Sequence, residues 1–250
     1  MQEKKRKRLD LLLFEKGMAE SREKARSLIL AGKVLVNSQL VDKPGTSILP
    51  DSTITIKDQL PFVSRCGLKL QEAIQQLNID VSNSICLDVG ASTGGFTDCL
   101  LQNNAQHVYA VDVGYGQLAW TLRNDKRVTV IERTNIRNLS ENLIPCPIDI
   151  VTIDVSFISL KIVVPAVLKF MKKNGFILAL IKPQFEVGKG MVGKGGVVRD
   201  PEIHKETISD LIAFFTYNGL TPGPVVPSPA PGPKGNKEFM IRLDFGECPD

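Results

Sequence analysis

The 250-residue chain has two histidines, one tryptophan and five cysteines, and no two cysteines stand as C-x-x-C. A zinc site built on paired cysteine and histidine ligands is therefore not expected, and no metal is called for. The cysteines (Cys66, Cys86, Cys99, Cys146 and Cys248) are odd in number, which argues against a closed disulfide framework. No apolar run approaches the roughly 18 residues of a membrane span. Charges precede residues 11–14, but that apolar stretch is too short for a signal peptide and no small-residue cleavage site follows. A cytoplasmic protein with reduced thiols is the resulting expectation. Hydrophobic residues make up 43% of the chain and charged ones 23%, which excludes disorder and collagen-like structure. That length holds one or two domains.

The formal net charge is only +4, but residues 1–60 hold 12 of the 31 basic residues and 8 of the 27 acidic ones. The rest of the chain is balanced, so a basic module precedes a neutral one, and basic modules suit polyanions. Leu9, Leu12, Leu13 and Lys16 follow helical spacing up to a terminator at Gly17. Ser21 is placed to cap a second helix whose inner face is Ala25, Leu28 and Ile29, with Arg22 and Arg26 four apart on another face. Gly32 stops it. Val34 and Val36 alternate into a turn at Asn37–Ser38, and residues 51–57 alternate through Ile54 and Ile56 as a further strand.

Arg8-Leu9-Asp10 followed by Ser21-Arg22-x-x-Ala25-x-x-Leu28-Ile29-x-x-Gly32-x-Val34-x-Val36-Asn37 resembles the RNA-binding domain first seen in the S-four protein of the small ribosomal subunit. The resemblance implies a small α+β domain over residues 1–60 that grips structured RNA through phosphates and shape.

Residues 61–66 read as a linker, and residues 67–250 as a second domain. Leu68, Leu70, Ala73, Ile74 and Leu77 trace a helix. Strand patterns then fall at 85–89, 108–113, 128–131, 148–153, 176–181 and 239–243, with helices at 96–102, 160–171 and 202–218. Such alternation predicts an α/β fold, a mainly parallel, doubly wound, Rossmann-like sheet covered on both faces. Ligands in such sheets sit beyond the carboxyl ends of the strands. The prolines of residues 222–233 read as a constrained loop, Trp120 as packed on the sheet, His107 and His204 as surface or cap residues, and Cys86 and Cys99 as core.

The segment Leu87-Asp88-Val89-Gly90-Ala91-Ser92-Thr93-Gly94-Gly95-Phe96-Thr97 follows the first of these strands and opens a helix. Glycines let the backbone approach a ligand, and the helix N-terminus offers free N–H donors. The spacing is not the G-x-G-x-x-G of a dinucleotide site. Asp112 ends the next strand, where a carboxylate suits a ribose diol. Asp88-x-Gly90 with Asp112 resembles the S-adenosylmethionine loop of class I methyltransferases. Gly188-x-x-x-x-Gly193-Lys194-Gly195 nearly spells a P-loop, but Gly195 stands where a magnesium-binding Ser or Thr is required. A mobile, basic lid is the reading kept for that segment.

Lys69, Asp154, Lys182 and Glu238 fall where strands end or helices begin, and all would meet at the ligand edge of the sheet. In this order they resemble the catalytic tetrad of FtsJ-type ribose 2′-O-methyltransferases. A ribose hydroxyl needs a base, and a lysine with its ordinary pKa of about 10.4 is protonated at neutral pH. A second lysine and desolvation disfavour the charged form, so Lys182 is expected as general base beside Lys69. Asp154 is expected to orient Lys182, and Glu238 to fix Lys69 or the ribose.

Val63-Ser64-Arg65-x-Gly67-x-Lys69-Leu70, Asp112-Val113-Gly114-Tyr115-Gly116-Gln117-Leu118, Ser156-Phe157-Ile158-Ser159-Leu160 and Lys182-Pro183-Gln184-Phe185-Glu186 resemble the TlyA (hemolysin A) family. Gly195-Gly196-Val197-Val198-x-Asp200-Pro201 and Gly232-Pro233-x-Gly235-Asn236-x-Glu238 do so as well. The resemblance implies S-adenosylmethionine-dependent 2′-O-methylation of cytidine in ribosomal RNA, of the large subunit and with the small one left open, and an influence on capreomycin and viomycin susceptibility. It implies cofactor contacts at Gly90, Ser92, Gly94, Phe96, Asp112 and Asn135, with Asp88 and Thr97 from the same loop. RNA contacts fall on Arg6, Arg8, Arg22, Lys33 and Lys43, extended by Arg65, Arg133 and Arg137. Two positions depart from the pattern: Cys66 stands where glycine is expected, and Glu20 where arginine is expected. An RNA-docking assembly factor with a vestigial core and a membrane-active toxin are the competing readings, and oligomeric state is open.

Overall fold

The computed structural model describes residues 6–37, 39–56 and 61–246, and the chain divides into two compact units, Met1–Leu60 and Pro61–Asp250. In the first unit, β1 (Lys7–Arg8) runs directly into α1 (Leu9–Glu15), and Gly17 turns the chain at φ +69°. Ser21 caps α2 (Arg22–Leu30), its Oγ accepting a hydrogen bond from Lys24 N at 3.1 Å. Four short strands follow: β2 (Val34–Val36), β3 (Gln39–Leu40), β4 (Ser47–Ile48) and β5 (Ile54–Ile56). β2 pairs antiparallel with β3 and β5, and β1 with β4. The expected helix faces (Leu9, Leu12, Leu13, Ala25, Leu28, Ile29) meet Val34, Val36 and Ile48 in one core. Asn37 takes the left-handed turn conformation at φ 49°, while Ser38 and Lys57 lie outside the described residues.

One charge sits inside that small unit. Asp10 is fully buried and receives Arg8 through Nε and Nη2, both at 3.0 Å, and Arg22 Nε at 3.3 Å. The Arg8 hydrogen bond, with the charges of both arginines, holds the Asp10 carboxyl below the usual carboxylate range against the opposing effect of burial.

The second unit begins with α3 (Cys66–Gln76), then alternates β6 (Ile85–Val89), α4 (Gly95–Gln102), β7 (His107–Val111), α5 (Trp120–Arg123) and β8 (Val128–Ile131). It continues through β9 (Ile148–Ile153), α6 (Leu160–Val167), β10 (Met171–Ile181), α7 (Pro183–Glu186), α8 (Pro201–Tyr217), β11 (Leu220–Pro227) and β12 (Phe239–Phe245). The strands form one seven-stranded sheet in the order β11-β12-β10-β9-β6-β7-β8. β8, β7, β6, β9 and β10 are parallel, and β12 is antiparallel to both β10 and β11. The α/β architecture with a mainly parallel sheet is thus the one the alternating pattern predicts. Successive residues of β6 alternate between two cores: Cys86 faces α3 and α4, while Leu87 and Val89 join the side of α6 and α8. Strand order reverses at β6, so a crevice opens between the ends of β6 and β9.

Four expectations change. The proline-rich segment is not all loop: β11 occupies its first part, at the sheet edge, where a missing N–H removes no ladder bond, and its register shifts between Pro222 and Val225. The helix expected over 160–171 ends at Val167, and β10 already starts at Met171, with an irregularity before Phe176. Trp120 is 76% exposed, because the four-residue α5 buries Leu122 instead. His204 is buried, its Nε2 3.0 Å from Val198 O. Cys86 and Cys99 are core residues, as expected, and Cys66 opens α3 in a backbone conformation that does not call for glycine.

Replacing Asp10 by alanine should lower the unfolding free energy by about 2 kcal/mol at neutral pH. The folded carboxyl titrates below the unfolded one, so its contribution is complete above the ordinary aspartate pKa of about 3.9. It vanishes as pH falls through the depressed folded value. Urea midpoints of wild type and D10A should therefore converge in acid, and an undiminished gap would contradict the assignment.

Candidate active site

At the end of β6 the backbone turns at Gly90, φ +85°, and a Cβ there would stand 2.5 Å from the carbonyl oxygen of Asp154. Only glycine passes this point without displacing β9. Gly90 N and Ala91 N both donate to Val111 O, at 2.9 and 3.2 Å, which staples the loop to β7. The Asp112 carboxylate braces the loop from the other side, accepting Ser92 N on Oδ2 at 2.7 Å and Gly114 N on Oδ1 at 2.6 Å. Ser92 holds φ 49°, and its Oγ donates to Gln117 Oε1 at 3.2 Å.

A cavity of about 500 Å³ follows this loop, lined by Gly90, Ser92, Asp112, Asn135, Asp154 and apolar side chains including Val111, Ile136 and Phe157. Its size and its mixture of apolar walls with few polar groups suit a nucleoside-sized ligand. Each Asp112 oxygen accepts one backbone N–H and keeps capacity for a diol. These residues fit S-adenosylmethionine. Gln117, Thr134 and Phe157 also line the cavity. Phe157 is 91% exposed at φ 64°, with its ring 4.9 Å from that of Phe185.

Three residues expected to touch the cofactor lie behind the lining instead. Asp88 is fully buried, accepting Thr97 Oγ1 at 2.6 Å and Thr152 Oγ1 at 3.0 Å, because it points from β6 toward α4. Thr97 is buried with it. Gly94, φ +94°, makes room for Leu118 and Leu122, which would collide with any Cβ there. Asp88 and Thr97 hold the loop from below, and Gly94 seats α5 against it.

A second cavity, about 230 Å³, adjoins the first and shares Gly90, Ser92, Asp154 and Ser156 with it. All four residues of the expected tetrad line it. Lys69, from α3, pairs with Glu238 Oε2 at 2.5 Å, and Lys182, after β10, pairs with Asp154 Oδ1 at 2.6 Å. Lys182 Nζ also donates to Ser156 Oγ at 3.1 Å. The Lys182–Asp154 contact is an ion pair off the angle of a hydrogen bond, so Asp154 Oδ1, like Glu238 Oε1 and Ser64 Oγ, is buried without a hydrogen-bond partner among the described residues. Buried orphan atoms of this kind mark where a ligand's polar groups belong. Phe96 lines this cavity and not the first. Cys66 lines it as well, and burial followed by the nearby Asp154 charge pushes its thiol up. Among the described residues no cluster of His, Cys, Asp or Glu could hold a metal.

Two residues of the motif that runs up to Glu238 support the site, although the sequence reading gave neither a role of its own. A Cβ at Gly232 would overlap the Glu238 carboxylate, so this glycine is what lets Glu238 reach Lys69. Asn236 accepts Val198 N at 3.1 Å and donates to Gly196 O at 3.0 Å, tying the glycine-rich segment to the chain before β12. That segment, expected as a lid, is pinned at its base by these bonds and by Gly193 N to Val197 O at 3.1 Å.

Of the expected RNA contacts in the first unit, Arg8 and Arg22 are gathered by Asp10 and keep half their side-chain surface exposed. Arg6 Nη1 lies 3.4 Å from Ser47 O, Lys43 is exposed and Lys33 half-buried. In the second unit Arg65, Arg133 and Arg137 are exposed. Arg133 lies over the Tyr115 ring at 4.0 Å, and Arg137 Nε donates to Asn135 Oδ1 at 3.2 Å.

Two outcomes follow from this geometry. Gly232→Ala should leave the fold intact but cut methyl transfer at least 100-fold by moving Glu238 off Lys69, and an active, folded G232A would refute the packing argument. Burial raises the Asp88 pKa to about 6, opposed by the Thr97 and Thr152 hydrogen bonds. A raised carboxyl contributes stability at low pH that is lost as pH rises through that value. Asp88→Asn should therefore gain thermal stability relative to wild type at pH 8 and lose that advantage at pH 4.5, as read from melting temperatures.

A family model described as FtsJ-like methyltransferase matches residues 62–245, and one described as S4 domain matches residues 7–54. The chain is 45% identical over 241 residues to the 16S/23S rRNA (cytidine-2′-O)-methyltransferase TlyA of Mycobacterium tuberculosis, covering 96% of this chain and 90% of that one. It is 41% identical over 237 residues to hemolysin A of Brachyspira hyodysenteriae, covering 94% and 99%. A solved structure from Streptococcus thermophilus, described as a candidate hemolysin, superposes with a TM-score of 0.75 at 40% identity, covering 99% of this chain and 91% of that one. The chain belongs to the TlyA (hemolysin A) family, with an S4 domain ahead of an FtsJ-like methyltransferase domain.

Proposed function

We propose that this protein transfers a methyl group from S-adenosylmethionine to the ribose 2′-oxygen of a cytidine in ribosomal RNA, in the large subunit. The observation that carries this reading is the meeting of two lysine–carboxylate pairs in a pocket that shares four residues with a nucleoside-sized cleft. The name of the Mycobacterium tuberculosis relative, a 16S/23S rRNA (cytidine-2′-O)-methyltransferase, supports cytidine of ribosomal RNA as the substrate. When bound, S-adenosylmethionine supplies a methyl group on a positively charged sulfur, already activated for attack. Residues Gly90, Ser92, Asp112 and Asn135 line the cleft that would hold it.

The chain's own part is to prepare the attacking oxygen. Lys182 takes the proton of the 2′-hydroxyl as the oxygen attacks. Asp154 and Ser156 aim Lys182 Nζ from two sides, which places the base beside the cleft. Lys69, held by Glu238, presents positive charge to the oxygen as its negative charge develops. All four charged side chains are largely buried, so both effects are stronger there than in bulk water. The half-exposed Arg8 and Arg22 suit the phosphates of the RNA partner. The reaction belongs in the cytoplasm, with ribosomal subunits as substrate.

The test is methyl transfer from radiolabelled S-adenosylmethionine to separated, undermethylated ribosomal subunits, with the label mapped to alkali-resistant linkages. Wild type should label the large subunit at a resistant site. Lys182→Ala should lose at least 100-fold in rate while still binding the cofactor. Label in alkali-sensitive positions, or full activity of K182A, would overturn the reading.

A further inference from the structure

The sheet lays three cavities along one edge. The donor cleft lies beyond β6, β7 and β9, at Gly90, Asp112 and Asp154, and the tetrad pocket follows beside β10 and β12. A third cavity, of about 470 Å³, lies further on in the same direction, beside β12 and β11. Phe239 of β12 is level with Ile181, the last residue of β10, and with Pro227, the last of β11. The cavity therefore opens at the edge from which Lys182 emerges. Glu238 lines both it and the tetrad pocket, while no residue of the donor cleft reaches it.

Its walls are mostly carbon: Pro201 and Ile208 of α8, then Pro227, Pro229, Pro231 and Phe239. The buried His204 sets its ring edge-on to Phe239, centroids 5.7 Å apart, and is itself fixed by Nε2 at 3.0 Å from Val198 O. Ser228 N donates to Glu238 O and Gly232 N to Asn236 O, both at 2.9 Å, which closes the connection between β11 and β12. The cavity is thus preformed, and its volume lies in the range of small-ligand sites. Two lysines line it. Lys205 is paired with Glu202 at 2.8 Å, whereas Lys237 is exposed and makes no ion pair among the described residues. The carboxylate that borders the cavity, Glu238, is already engaged by Lys69. Apolar surfaces for a base beside an uncommitted cation for a phosphate are the pattern of single-strand nucleic-acid binding.

A ribose whose 2′-oxygen faces Lys182 continues into a phosphodiester on each side, and the donor cleft occupies the β6 side of the tetrad. The open continuation runs toward β12. We infer that the third cavity receives the nucleotide joined to the methylated one by a single phosphodiester, its base against Phe239 and the prolines and its phosphate at Lys237. This rests on the reading of the tetrad pocket as the site of ribose methylation.

The test is binding of the full chain to undermethylated large ribosomal subunits, with S-adenosylhomocysteine present, over a series of salt concentrations. Lys237→Ala should weaken binding about fivefold and lower the slope of log affinity against log salt by roughly one, the mark of a lost phosphate contact. Affinity for S-adenosylhomocysteine should be unchanged. Ile208→Trp, which fills the cavity, should weaken subunit binding about tenfold, the worth of one stacked base. K237A alters only an exposed side chain, so it decides the matter if I208W does not fold. An unchanged salt slope in K237A overturns the inference, even if methyl transfer slows, because a Glu238 disturbed by its neighbour would lower kcat without touching that slope. With p-benzoylphenylalanine in place of Lys205, irradiation should crosslink the chain to RNA next to the methylated nucleotide. Crosslinks to a ribosomal protein, or to distant RNA, overturn the inference and leave the methyltransferase reading standing. Wild type that binds the subunit without methylating it overturns that reading, and this inference with it.

Discussion

The site depends on how closely the chain passes itself where β6 and β9 end. Gly90 lies so near the Asp154 carbonyl that no side chain fits between them. Asp154 N donates to Val89 O at 3.0 Å across the same gap. That approach places one carboxylate where it lines both cavities. β10 then runs parallel to β9, with Ala179 beside Ile153, so Lys182 emerges next to Asp154 as a consequence of sheet register. The positions of Lys182 and of the cleft beside Gly90 are thus set by one backbone contact.

Burying four charged groups in one small pocket is unfavourable unless they compensate one another. The structure solves this pairwise. Lys69 and Glu238, 169 residues apart, meet because α3 packs against β12, which inserts antiparallel beside β10. Gly232 then clears the space for the Glu238 carboxylate. The pairs leave one oxygen of Asp154 and one of Glu238 without hydrogen bonds inside the wall of the cavity. A pocket that is electrically balanced yet incompletely hydrogen-bonded is preorganised for a polar ligand, since little must move when the ligand enters.

The first unit handles charge differently. Asp10 is buried while the arginines it holds remain half in solvent. One carboxylate thereby fixes two guanidinium groups without neutralising their outward faces, which suits contacts to RNA phosphates better than free, mobile side chains would.

Much of this was legible in the sequence because it is local or periodic. The helix faces of Leu9–Leu13 and Ala25–Ile29, the Ser21 cap, the alternation that makes a parallel sheet, and the glycine-bearing turn after β6 all arise from neighbours a few residues apart. So does the placement of Lys69, Asp154, Lys182 and Glu238 at element ends. Tertiary packing decided the rest. It turned Asp88 and Thr97 away from the cavity, because alternation along β6 aims Asp88 at α4. It gave the prolines of β11 an edge position, exposed Trp120 and buried His204. It also set Ser64 against Gly95 and Gly232 beneath Glu238. Chain order and periodicity determined which elements form and where reactive side chains leave them. Which side chains meet was decided only when the sheet closed, because excluded volume and buried charge act between residues far apart in sequence.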